Sequence, residues 1–174
     1  MTAGLLLLLL AFQPNRAMLR SLFEKALAER IAEYGANDVH TAQAQRDLGL
    51  FLQRSGEKLA ARKALTEAVR IDEIAFGRTA PQTLEDVASL AAVSPVLQVE
   101  PLLKRAAESA DPTIAGPALS DLAEIRRNAG DHLGALTYLR RALEKAEAVE
   151  GPGGSIGSML RQAIQNEQKK ISAR

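Results

Sequence analysis

The sequence predicts an all-α fold, an α-solenoid of antiparallel helix pairs, and three observations predict it. Apolar residues recur at helical spacing in the segments from Pro14 onward, and none alternates as a strand would. Gly, Pro, Asn or Asp interrupt the chain about every 15 to 20 residues. One set of small and apolar residues returns at identical offsets in two places, the mark of stacked units instead of a single closed core.

The first helix is expected from about Asn15 to Tyr34, with Pro14 at its start and Gly35 where a left-handed terminal residue is wanted. Its stripe of Leu19, Phe23, Ala26, Leu27 and Ile31 is expected to be buried. A second helix begins near Asp38 and stops at Ser55 and Gly56; its partner runs from Glu57 to Phe76 and stops at Gly77. A shorter pair follows, Pro81 to Val93 and Val96 to Ser109, then Thr113 to Ala129 and His132 to Val149. Gly151, Pro152, Gly153 and Gly154 are read as a flexible break before a last amphipathic helix from Ser155 to Ile171. The domain organisation is thus an apolar segment over 1–13, a repeat domain over 14–150, and a Gly-rich break with a carboxy-terminal capping helix over 151–174.

Leu48, Gly49, Leu52, Gly56, Ala61, Leu65 and Ala68 recur as Leu122, Ala123, Arg126, Gly130, Ala135, Leu139 and Ala142. The small residues let helices approach, the glycine reverses the chain, and the later alanine leaves room for the neighbouring unit. Gly35 and Gly77, like Leu48 and Leu90, Phe23 and Leu65, and Ala26 and Ala68, lie 42 residues apart. The middle unit keeps Leu90, Ala91, Leu103 and Ala106, with its second half four residues early around Ser94 and Pro95.

These residues resemble the tetratricopeptide repeat, and the 42-residue interval resembles the longer repeat variant of kinesin light chains. Glu73 to Gly77 leading to Pro81 and Leu84, and the segment Glu100 to Ala106, are similar to that variant. The resemblance covers about Ala17 to Val149, as three helix pairs with a leading and a trailing helix. It implies a right-handed superhelix whose inner groove, lined by the first helix of each pair, binds a peptide or helix of another protein. Gln45 and Leu52 replace the usual large aromatics of the first helix, and Glu147 replaces the usual terminal Pro. Asp47, Ser89 and Asp121 stand where the kinesin-light-chain type carries a peptide-holding Asn.

Projecting the pattern places Arg46, Asp47, Leu50 and Arg54 on the groove from one unit, and Glu85, Ala88 and Ser89 from the next. Ser120, Asp121, Glu124, Arg127 and Asn128 come from the third. Long cations such as Arg54 and Arg127 can grip carboxylates, while Asp and Ser hold backbone amides. The competing reading is a solvated face, the common fate of charge on exposed helices.

Composition removes other function classes. The 174 residues are 47% hydrophobic and 25% charged, and 22 Lys plus Arg against 21 Asp plus Glu leave a net charge of +1. That gives no whole-protein field for nucleic acid or an acidic membrane, and 3% aromatics leave little for base stacking. The lack of Cys excludes disulfides, thiolate metal sites and thiol nucleophiles. His40 is expected as a surface or capping residue and His132 as a packing residue, neither with a carboxylate at a relay spacing. Glu144 and Glu147, beside Arg141 and Lys145, are read as surface ion pairs, and Gly151 to Gly154 lacks the Lys-Ser or Lys-Thr of a phosphate loop. The tail cations Arg161, Lys169, Lys170 and Arg174 are read as a solvated, frayed end. No enzyme, cofactor or metal is expected.

Ala3 to Phe12 form ten consecutive non-polar positions, six of them Leu, which as a helix reach about 15 Å, half a bilayer core. This segment is read as an export signal that leaves no membrane span in the mature chain, and a bacterial periplasmic or secreted location follows. The open alternatives are a start codon placed slightly wrong and a packed helix of a cytoplasmic protein, with Leu6, Leu7 and Leu10 as the first helix of a preceding unit. The expected partner is another protein or peptide segment. The second reading is a structural or assembly component that associates with copies of itself or an envelope complex.

Overall fold

A computed structural model describes residues 15–173 of the chain. The apolar run on which the export reading and its alternatives rest lies outside these residues. Eight α-helices are described: α1 (Arg16–Tyr34), α2 (Val39–Arg54), α3 (Lys58–Phe76), α4 (Pro81–Val93), α5 (Val96–Ala106), α6 (Pro112–Asn128), α7 (His132–Glu150) and α8 (Ser155–Ser172). The described residues contain no strand, as the periodicity predicts. The chain divides into two compact units after Ala68, within α3.

In the first unit α1 packs against α2, with the Phe23 and Phe51 rings stacked at 5.0 Å and Arg20 paired with Glu57 at 2.6 Å. The core gathers Ala42, Leu48 and Leu52 of α2 with Ala61, Ala64, Leu65 and Ala68 of α3. Gly49 permits this contact, since a Cβ there would stand 2.7 Å from Leu65 Cγ. The stripe expected on α1 is not buried: Leu19, Phe23 and Leu27 are half-covered, and Ala26 and Ile31 are exposed. Among the described residues of this unit α1 has a neighbour on one side, and one packed side cannot bury a stripe that wide.

In the second unit α4 packs on α5, α5 on α6, α6 on α7 and α7 on α8, and α4 also touches α6. That last contact, between the first helices of successive pairs, is what stacking requires. Leu84, Val87, Leu90 and Ala91 of α4 and Leu103 and Ala106 of α5 are buried, as are Ala115, Leu119 and Leu122 of α6 and Ala135, Leu139 and Ala142 of α7. Where Leu52 is buried in the first unit, Arg126 is half-buried and ion-paired with Glu100, which also holds Lys104 at 2.8 Å. Helix α5 ends at Ala106, short of the expected end at Ser109. The Glu108 and Ser109 amides turn to the carbonyls of Arg105 and Ala106, tightening the chain into the next helix.

The turns carry the repeat in backbone geometry. Within pairs, Gly56 and Gly130 have φ of +83° and +76°, and the next amides, Glu57 and Asp131, each donate at 2.9 Å to Leu52 and Arg126. Between pairs, Gly35, Gly77 and Gly151 have φ of +92°, +88° and +77°. Their amides donate to Ile31, Glu73 and Glu147, and their carbonyls accept from Asp38, Ala80 and Gly154. Thr41 and Thr83 hydroxyls donate to the Gly35 and Gly77 carbonyls at 2.7 and 2.9 Å. The segment read as a Gly-rich break is therefore the same four-residue turn as the others, and α8 takes the register of a first helix, 116 residues after α2. Gln165 and Gln168 stand in α8 where α2 carries Gly49 and Leu52, a polar face suited to a capping helix.

Candidate functional site

Each predicted groove residue sits on a first helix and remains accessible. Asp47 and Arg54 are exposed on α2, with Arg46 and Leu50 half-exposed. In the second unit Glu85 is exposed and Ser89 half-exposed on α4, beside the exposed Asp121, Glu124 and Asn128 of the adjacent α6. Arg127 reaches Glu124 only loosely, at 3.9 Å. The Asp121 carboxyl is pushed above the usual aspartate range by loss of surrounding water and by the Glu124 charge.

Beyond these residues, each unit holds a cleft where a second helix meets the following first helix. In the first unit Phe23, Ala26, Arg30 and Tyr34 of α1 face His40, Gln43, Ala44 and Asp47 of α2 around about 390 Å³. His40 stacks on Tyr34 at 4.3 Å, and its Nδ1 lies 2.7 Å from the N-cap Asp38. Its backbone amide donates to the same carboxylate, and that bond, ahead of the ring's, holds Asp38 below the usual aspartate range. His40 is thus part of the cap, as expected. Asp47 is the one predicted groove residue that lines this cleft.

In the second unit, Pro112, Thr113, Gly116, Pro117 and Ser120 of α6 join Ala142, Lys145, Ala146, Val149 and Glu150 of α7 and Ile156 and Leu160 of α8 around about 240 Å³. This lining is almost wholly apolar. Ala26, Arg30, Tyr34, His40 and Ala44 of the first cleft correspond, 116 residues on, to Ala142, Ala146, Glu150, Ile156 and Leu160 of the second. Most of this lining was missed in the sequence, because reading Gly151 as part of a break hid the offset that relates the two clefts.

Helix α8 is docked at both ends. Glu150 accepts the Ile156 amide at 3.0 Å and Arg161 pairs with Glu147 at 2.6 Å. Glu167, 2% exposed, accepts from His132 Nδ1 at 2.6 Å and from Lys170 at 3.0 Å. Burial pushes the Glu167 carboxyl up, but the bonds from Lys170 and His132 outweigh it and hold it below the usual glutamate range. Three expectations are corrected here. Both histidines meet a carboxylate, His132 through a residue 35 positions away that only helix packing brings near. Glu147 pairs across to α8 instead of along α7, and Arg161 and Lys170 are engaged in ion pairs, not on a frayed tail. The two contacts tie His40 to the cap of its own helix and α7 to α8. Among those residues no group of three or more His, Asp or Glu converges as a metal site, and no helix is long and apolar enough to cross a membrane.

Stacked pairs, recurrent glycine turns and first helices side by side define a helical-repeat protein. Residues 118–154, from within α6 to the turn before α8, match the family model of the tetratricopeptide repeat, so this part of the chain carries a repeat of that type. No curated protein matches it.

Proposed function

We propose that the chain is a non-catalytic protein–protein interaction module that holds a segment of a partner on its first-helix faces. The tetratricopeptide repeat supports interaction with another protein in general. The finer reading is supported by one observation: in α4 and α6, which touch, one face is buried through Leu84, Val87, Leu119 and Leu122 while the other presents Glu85, Ser89, Asp121, Glu124 and Asn128. Polar groups on rigid neighbouring helices can meet the backbone and charges of an extended segment with little ordering cost. On α2, Asp47, Leu50 and Arg54 offer the same mixture at one-turn spacing. The test is capture by the full chain and by the double variant Arg54→Glu/Arg127→Glu. The variant keeps its far-UV circular dichroism and loses the partner; an unchanged set of captured proteins overturns the reading.

A further inference from the structure

The apolar cleft of the second unit has a feature that segment capture does not use. Of its two charged lining residues, Glu150 is engaged by the Ile156 amide, whereas Lys145 makes no hydrogen bond or ion pair among the described residues. On α6, one helical turn past Pro117, the exposed Asp121 is likewise without a hydrogen-bond or ion-pair partner among those residues. On α8 the rim carries exposed apolar side chains, Ile156 at 48% and Met159 at 65%. A cleft of about 240 Å³ is smaller than the roughly 300 to 1,000 Å³ typical of small-molecule sites, and suits a side chain instead.

One face therefore holds an apolar knob, a cleft of side-chain size, and one unpaired charge of each sign. Such a face is complementary to itself, which is what a two-fold contact demands, because each copy then gives what the other receives. We propose that a second copy of this chain docks on the α6–α7–α8 face, with Met159 of each copy entering the cleft of the other and Lys145 of each pairing with Asp121 of the other. A passing apolar segment would fill the cleft and leave both charges unmet, whereas a second copy satisfies the cleft and both charges together. Association goes beyond segment capture and competes with it, since it covers Asp121.

The measurement is sedimentation equilibrium of the full chain from micromolar to submillimolar concentration, with Lys145→Asp and Asp121→Lys made separately. Wild type is expected to show a monomer–dimer equilibrium. Each single variant sets like charges opposite each other twice, and its dimerisation is expected to weaken at least about tenfold. Mixing the two variants sets the introduced aspartate of one copy against the introduced lysine of the other, and the unchanged Asp121 against the unchanged Lys145. The mixture is therefore expected to form a heterodimer at concentrations where each variant alone stays largely monomeric. That rescue also proves both variants folded. A monomeric wild type, dimerisation unchanged in the single variants, or a mixture that stays monomeric overturns the proposal. Partner capture is read separately by pull-down, so its failure and this one cannot be confused.

Discussion

At the scale of single residues, two helical glycines separate packing from conformational freedom. Gly49 lies where a Cβ would meet Leu65 Cγ at 2.7 Å, Leu65 Cδ2 at 2.9 Å and the Ala61 carbonyl at 3.4 Å. Across the packing contact, a Cβ on Gly116 meets Lys145 Cβ at an ordinary 3.6 Å. Gly49→Ala is therefore expected to destabilise by about 1 to 3 kcal/mol through overpacking, despite the better helix propensity of Ala. Gly116→Ala gains helix propensity but sets its new Cβ against the ring of Pro117 in the same helix, and is expected to change stability by less than about 1 kcal/mol. Urea unfolding of both variants checks the pair, and a loss at Gly116 as large as that at Gly49 contradicts it. Gly49 was legible in the sequence because Ala123 matches it in the second ladder. The His132–Glu167 contact was not, since neither residue belongs to a repeating position.

At the scale of the element, α8 depends on Glu167, buried and bonded to His132 and Lys170. Its carboxyl titrates below the usual glutamate range in the fold, so as pH falls the unfolded chain takes up this proton first. The contribution is full at neutral pH, where both states are ionised, and is lost as pH falls from the ordinary glutamate value through the depressed one. Glu167→Gln is thus expected to cost about 1 to 3 kcal/mol at pH 7 and progressively less below pH ~4. Thermal unfolding of both proteins across that range checks this; a gap independent of pH contradicts it. The helix boundaries themselves were largely legible, because Asp38, Asp111 and Asp131 accept amides at N-termini and glycines terminate helices. The Gly151 turn was misjudged because four Gly and Pro residues in succession look like a linker when Gly35 and Gly77 are not set beside them. The open face of α1 was misjudged because periodicity marks an apolar stripe without saying what covers it.

At the scale of the molecule, the all-α class and the stacking of pairs were legible, since the ladders from Leu48 and Leu122 end in turns of the same backbone geometry. The clefts were not, because they form where a second helix meets the next first helix, between residues that do not share a repeat. Stability in a stacked chain is nearly a sum of units and nearest-neighbour interfaces, so damage should stay local. Ala142 is 1% exposed, and Ala142→Phe overpacks the contact of α7 with its neighbours. Native-state hydrogen exchange of the full chain carrying that substitution tests whether the helix pairs are separately stabilised. Protection should fall through α6, α7 and α8 while α1 and α2 keep their wild-type values; an equal loss across all the helices would contradict it.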